Sequence, residues 1–427
     1  MREAAARFAT PAIVVFLCAL SLAFWWQVVV PHQVFAPINA LYAQDPLWQP
    51  AGTPSFSLVN TADMDLLTQF YPWTAIAART LHQGAIPLWN PYAFAGTPLL
   101  GSMQPAVLYP VNLLLEWLAP PTDVLGLRAM VHMALTLVGT FLFARGLGMS
   151  RAAALLAAVS FGLSLAYVGW LGWAKSGSLA WLPWMLLCAE RIMTTRGAMR
   201  WIVAGALTVA LEILTGHGET TAHVMLLGAA YLLWRASGAW RRETDGGVVA
   251  RPLLAAVLAL GLGAAMAAAH LLPVLEQFSL SFTAAARATA PSVPLLGGSG
   301  SSWHTLVLAL VPDFFGRPTP LAGSRYGPTA NLYIGAVPLL LAVLGVPRRR
   351  DAPTLFFAAA ALIALGVALP LPVLGLLNNV PLLSIINNGN LRNEYAFAVA
   401  ILAGYGLDTL RRHDGRAGLT WFVACLW

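Results

Sequence analysis

The chain has 427 residues, of which 59% are hydrophobic and only 10% charged. A water-soluble domain carries about 25% charged residues, so composition excludes a soluble enzyme and points to an all-α, polytopic membrane protein. The formal charge of +7 would suit nucleic acid if it were clustered, but the arginines are parcelled into short loops between apolar runs, which excludes a phosphate-reading patch and reads as topology.

In chain order, the first apolar run, Pro11–Val30, is long enough to span. It ends in Phe24, Trp25 and Trp26 without a small-residue cleavage pattern, so it reads as an uncleaved helix rather than a signal peptide. Further spans are expected near Asp123–Arg145, Ala152–Gly169, Gly177–Glu190, Trp201–Thr215, Thr220–Trp234, Pro252–Leu272, Asn331–Val346, Pro353–Leu369 and Glu394–Leu410. Another begins near Leu419, and the chain stops inside it, which reads as a C-terminal truncation. Helix is the expected state, because lipid offers no partner to an open strand edge. Cys18, Cys188 and Cys425 all fall in apolar segments and form no disulfide or metal pattern.

With the N-terminus in the cytoplasm, alternation puts all but seven of the 24 lysines and arginines inside, Arg145, Arg151, Arg191, Arg235, Arg241, Arg349 and Arg411 among them. It puts Arg79, Arg128, Lys175, Arg287, Arg317, Arg325 and Arg392 outside. Residues 1–427 form one transmembrane domain, and its three large non-spanning stretches, 31–122, 273–330 and 370–393, all fall outside. The working face is therefore extracytoplasmic, where no nucleotide sugar is available, and a transferase there would draw on a lipid-carried donor.

The first of these stretches carries Asp63 and Asp65. Asp65 and Gln69 are four apart and would share a helical face. A carboxylate at the bilayer edge can take a proton from an acceptor hydroxyl; the competing role for either acid is helix N-cap, with Asp63 the better cap and Asp65 the better base. The same stretch continues as GAIPLWNPYAFAGTPLLGSMQPAVLYPVN. Its prolines forbid a long helix. Trp89, Tyr92 and Tyr109 offer flat faces, and Asn90, Gln104 and Asn112 offer amides, a mixture that suits a sugar ring; the competing role for the aromatics is a belt at headgroup level.

The turn LTGHGETTAH carries His217 and Glu219 with Glu212 below. His217, Glu219 and His223 could hold a divalent cation, but the spacing matches no recognised zinc pattern; a polar turn bordering the site is the alternative. Glu212, inside a span, should face the bundle interior. Cations outside run against the topological bias, so Arg325 and Arg392 could hold a phosphate; the alternatives are headgroup snorkelling or an Arg392–Glu394 salt bridge.

At these residues the sequence resembles the YfhO family of bacterial membrane proteins, within the GT-C superfamily of polytopic glycosyltransferases. The resemblance is carried by Asp65, Gln69 and Phe70, by G-x-x-PLWNPYxFxGxP from Gly84 to Pro98, and by Q-x-x-x-x-YPxN from Gln104 to Asn112. It continues in LTGH, AAAHLLPVLE, DFFG, NLYIGAVPLLLA and Leu391–Asp408. The resemblance implies an inverting transfer from a polyprenyl-phosphate-linked sugar to a cell-envelope glycan or polymer, at the outer face of the bacterial cytoplasmic membrane, with Asp65 at the catalytic acid's position. It also implies further spans beyond this chain. No cofactor is implied beyond the open divalent cation. Two other classes fit the composition: a lipid-linked sugar transporter or flippase, and a non-catalytic envelope-assembly protein.

Overall fold

The computed structural model describes residues 2–31, 33–38, 40–41, 64–195, 199–241, 247–281, 303–315 and 332–413. Almost all of the regular structure is helical. The long helices are α1 (Arg2–Phe24), α2 (Tyr71–His82), α3 (Pro110–Leu118), α4 (Pro121–Gly146), α5 (Arg151–Gly162) and α6 (Ala174–Thr194). They continue with α7 (Met199–Leu214), α8 (Gly218–Trp240), α9 (Gly247–Met266), α10 (Ala268–Ser279), α11 (Ala336–Arg348), α12 (Ala352–Ala368) and α13 (Arg392–His413). A small antiparallel hairpin pairs β1 (Trp89–Asn90) with β2 (Thr97–Pro98).

The helix starts follow local chemistry. Pro121 opens α4, where a missing N–H costs nothing. Ser150 caps α5 by accepting from Ala153 N at 3.2 Å, and Asp351 caps α12 by accepting from Thr354 N at 3.1 Å. The helices stand at the expected places with three departures. The Ala152–Gly169 span ends as helix at Gly162, followed by a separate turn, Leu165–Val168. The Pro252–Leu272 span is two helices, α9 and α10, broken at Ala267. The first span breaks at Trp25.

Among the described residues, Pro121–Gly146 and Val249–Met266 are long and apolar enough to cross a membrane by length and composition. Thr10–Phe24, Arg151–Gly162, Ala336–Arg348 and Ala352–Ala368 are apolar but shorter. Helices α6 and α8 are long, but they carry Lys175 and Glu190, and Glu219 and Arg235. α4 is central, with Met133, Leu137, Phe141 and Phe143 in the main core alongside residues of α5, α6 and α13. α9 is peripheral and turns Leu254, Val257, Leu258, Leu260 and Leu262 outward. An outward row of large aliphatic side chains is costly in water and neutral in hydrocarbon.

Contacts join like ends of the helices. At one end Ser178 meets Thr215 (2.7 Å), Lys175 meets Asn390 (2.7 Å) and His223 meets Asn388 (3.0 Å). At the other, Glu190 accepts from Tyr231 (2.7 Å) and Arg235 (2.9 Å), and Asp408 accepts from Ser150 N (2.8 Å). The second end is the one that carries Arg145, Arg191, Arg241 and Arg349. All described large loops lie at the first end, which is where the site must be sought.

Candidate functional site

Asp65 stands at the start of a widened turn, Leu66–Phe70, that runs into α2. Tyr71 N donates back to Leu66 O, five residues earlier. Pro72 explains the widening: it has no N–H to give, and its ring would strike the carbonyl of Thr68 in a regular helix. The Asp65 side chain makes no capping hydrogen bond, so its carboxylate is not consumed by the helix start. Asp65 and Gln69 are both half-buried. The wide turn shifts Gln69 off the i, i+4 line expected for a regular helix.

Leu66 and Phe70 anchor this turn in a small apolar cluster with Leu125, Ala174, Trp73 and Trp173. Phe70 and Trp173 lie 5.5 Å apart, centroid to centroid. The Arg128 guanidinium sits 5.9 Å from the Phe70 ring and donates to Gly172 O at 2.7 Å. The turn that Asp65 opens therefore packs against Trp173 and Ala174 at the start of α6, immediately before Lys175. Beside this junction lies a cavity of about 420 Å³, lined mostly by apolar residues (Phe24, Trp25, Val28, Val34, Phe35, Val168, Gly169 and Leu171) with Gln27 and Gln33 among them. Phe35 forms the shared wall, since it also packs against Leu66.

Lys175 is the centre of a second, buried group. It is 1% exposed, and its ammonium donates to Asn390 Oδ1 at 2.7 Å and lies 3.5 Å from the Trp170 ring centroid. Asn390 Nδ2 in turn donates to Glu219 Oε2 at 3.2 Å. Asn388 gives its Nδ2 hydrogens to Asn378 Oδ1 (2.7 Å) and Leu383 O (2.6 Å), so its Oδ1 accepts from His223 Nε2. Glu394 is buried within electrostatic reach of Lys175. His217 Nδ1 caps α8 by accepting from Thr220 N at 3.3 Å. Burial, reinforced by Lys175 and His223, lowers the His217 pKa to about 3 and keeps the ring neutral.

A third group lies under the loop. The Tyr109 hydroxyl accepts from Trp181 Nε1 at 3.1 Å, and burial raises its pKa. Glu116 of α3 is buried, and its pKa is pushed up to about 8 by desolvation, with Arg128 opposing.

The structure sorts the sequence candidates. Asp65, Gln69, His217, Glu219 and Arg392 sit at one end of the bundle, and Glu219 is in the Lys175 group. Arg392 opens α13 and is buried, so it does not snorkel. Asn90 is buried and closes the hairpin by accepting from Tyr92 N at 2.9 Å. Tyr109 and Asn112 are buried in the scaffold, with Asn112 Nδ2 donating to Pro105 O and Ala106 O. Trp89, Tyr92 and Gln104 are exposed. Asp63 and Arg325 lie outside the described residues. Glu212 faces the bundle interior, as expected. Among the described residues no three His, Cys, Asp or Glu side chains come together as a metal site. Lys175, Arg128 and Glu116 were not singled out as site residues. The signal for the two cations was their position outside, against the charge bias; nothing local marks Glu116.

No protein-family model matches the chain, and no curated protein matches it. Among solved structures, the chain is similar to part of a mutant of the arabinofuranosyltransferase AftD from Mycobacteria, with a TM-score of 0.48 and 16% identity. The match covers 82% of this chain and 25% of that one, so this chain spans about a quarter of that protein's length. At that level the likeness carries no argument about function or site.

Proposed function

We propose that the chain is a membrane glycosyltransferase that moves a sugar from a polyprenyl-phosphate-linked donor to a cell-envelope acceptor, with Asp65 as general base. The observation that carries the reading is the packing of the Asp65 turn on Trp173 and Ala174, which sets a carboxylate that does not cap its own helix beside the start of the helix that bears the buried Lys175. The motifs shared with the YfhO family, and through it the GT-C superfamily, support the same assignment by resemblance.

In this reading Asp65 takes the proton of the acceptor hydroxyl as its oxygen attacks the anomeric carbon. The bond from that carbon to the phosphate oxygen breaks, the phosphate leaves with the electron pair, and the anomeric centre inverts once. Arg392 and Arg325 offset the charge that grows on the phosphate; a divalent cation is the alternative counter-charge. Gln69, His217 and Glu219 orient the sugar. The cavity walled by Phe35 suits a hydrocarbon chain, and the lipid holds the rest of the carrier, so that donor and acceptor meet at the surface. The reading places these groups on the extracytoplasmic side of a bacterial cytoplasmic membrane crossed several times, with the N-terminus inside.

A second reading, transport of the lipid-linked sugar, draws on the burial of Lys175, Glu212 and Glu394 within the bundle. Comparing envelope glycans from cells with and without the gene identifies sugar and acceptor. Transfer by purified protein in detergent separates the two readings, since detergent leaves no second side to reach. The transferase reading expects transfer to persist there; its absence, with the glycan change intact in cells, favours transport.

A further inference from the structure

We infer that the β1–β2 hairpin is a membrane anchor whose tip, Tyr92 to Phe94, enters the headgroup region of the phospholipid surface at the Asp65 end of the bundle. The inference rests on the membrane reading of the chain and not on the role of Asp65.

The tip is built, not slack. Asn90 Oδ1 accepts from Tyr92 N at 2.9 Å. The indole of Trp89 folds over Gly96, where a Cβ would come within 2.6 Å of the ring, so only glycine fits. Phe94 and Ala95 are held at φ +50° and +60°, a left-handed conformation that is strained for a residue with a Cβ. What this strained frame presents is apolar: Phe94 is 95% exposed and Tyr92 70%. In water that arrangement exposes aromatic surface without gain. At a bilayer interface, aromatic rings in the headgroup layer are favourable.

Charge and continuity support the same partner. Arg79 Nη1 donates to the Tyr92 hydroxyl at 3.0 Å, which sets an exposed cation behind the aromatic tip, and a cation there is attracted to an anionic lipid surface. The hairpin base at Gly101 packs against Pro273 and Gln277 of α10, whose Leu272, Leu275 and Phe278 are exposed. On the other side His82 stacks on Trp117 at 5.2 Å, and α3 exposes Leu114 and Leu118 beside it. The apolar surface thus runs through the hairpin rather than stopping at it.

The test is nitroxide accessibility in the full chain, reconstituted in vesicles of phosphatidylcholine and phosphatidylglycerol. The background carries Cys18→Ala, Cys188→Ala and Cys425→Ala. Labels are placed by Phe94→Cys, with Tyr92→Cys as a second tip variant, Leu258→Cys on the outward face of α9, and Gln83→Cys as an exposed polar reference. The expected result is that labels at 94 and 258 collide more with oxygen, which partitions into lipid, than with a water-soluble nickel chelate, while the label at 83 shows the reverse. A lipid-facing label at 258 with water-facing labels at 92 and 94 overturns the anchor and leaves the membrane reading standing. Water-facing labels at all positions overturn both. A water-facing tip label that becomes immobile when soluble glycan is added overturns the anchor in favour of a carbohydrate platform.

Discussion

A lysine ammonium removed from water must recover its lost hydration from fixed partners, and Lys175 recovers it from Asn390 and the face of Trp170. Glu219 and Glu394 supply opposite charge nearby. Lys175→Met keeps the length of the side chain and removes the charge, leaving buried Glu394 and half-buried Glu219 without that counter-ion. We expect destabilisation on the order of 3 kcal/mol, read as a fall in the unfolding midpoint in detergent; an unchanged midpoint would show that the acids are neutral without it. Asp65 differs in kind, since its carboxylate is half-buried and makes no cap. Of the candidate site, Asp65, His217, Glu219 and Arg392 were legible as polar groups between apolar runs, and their roles remain those proposed above. Lys175 and Arg128 were visible only as cations on the unexpected side. Glu116 was not legible at all: its burial comes from how α3 folds back, which no local pattern encodes.

Helix α3 carries the clearest pH signature. Glu116, at about 8 when folded against an ordinary 4.5, keeps a proton in the folded chain that the unfolded chain has lost. Its contribution to stability is therefore full below pH 4.5 and is lost as pH rises toward 8, with a slope of at most about 1.4 kcal/mol per pH unit. Glu116→Gln should flatten the decline of the unfolding midpoint between pH 5 and 8 and raise it at pH 8; parallel curves would show that the carboxyl ionises freely. Helices α11 and α13 meet through glycine. A Cβ on Gly345 would lie 2.6 Å from the Cα of Gly406, and one on Gly406 would strike the carbonyl of Leu341. Gly406→Ala should cost about 2 kcal/mol or more through overpacking. Gly261→Ala in α9, where a Cβ meets nothing within 4 Å, should stabilise by about 0.5–1 kcal/mol. Equal effects in thermal unfolding would contradict the close contact. Helix existence was legible from apolar runs, but the breaks at Ala267 and after Gly162 were not. A continuous apolar run looks the same whether or not the backbone turns within it.

For the whole molecule, the contacts join helix ends in the alternating order read from the arginines, while which end faces outward rests on charge bias alone. Impermeant thiol reagents test it, but Lys175 and Arg392 are too buried to serve. Gln104→Cys at the Asp65 end and Arg350→Cys at the arginine-rich end are both exposed. The first should be labelled in intact cells and the second only after permeabilisation; the opposite pattern would put the site in the cytoplasm, away from a flipped lipid-linked donor. In the proposed reaction one carboxylate, that of Asp65, takes the proton of the acceptor hydroxyl. The most direct test is the envelope glycan profile of a gene-deleted strain carrying Asp65→Asn at wild-type membrane levels. The expected profile is that of the deletion, and a wild-type profile would rule out Asp65 as the base.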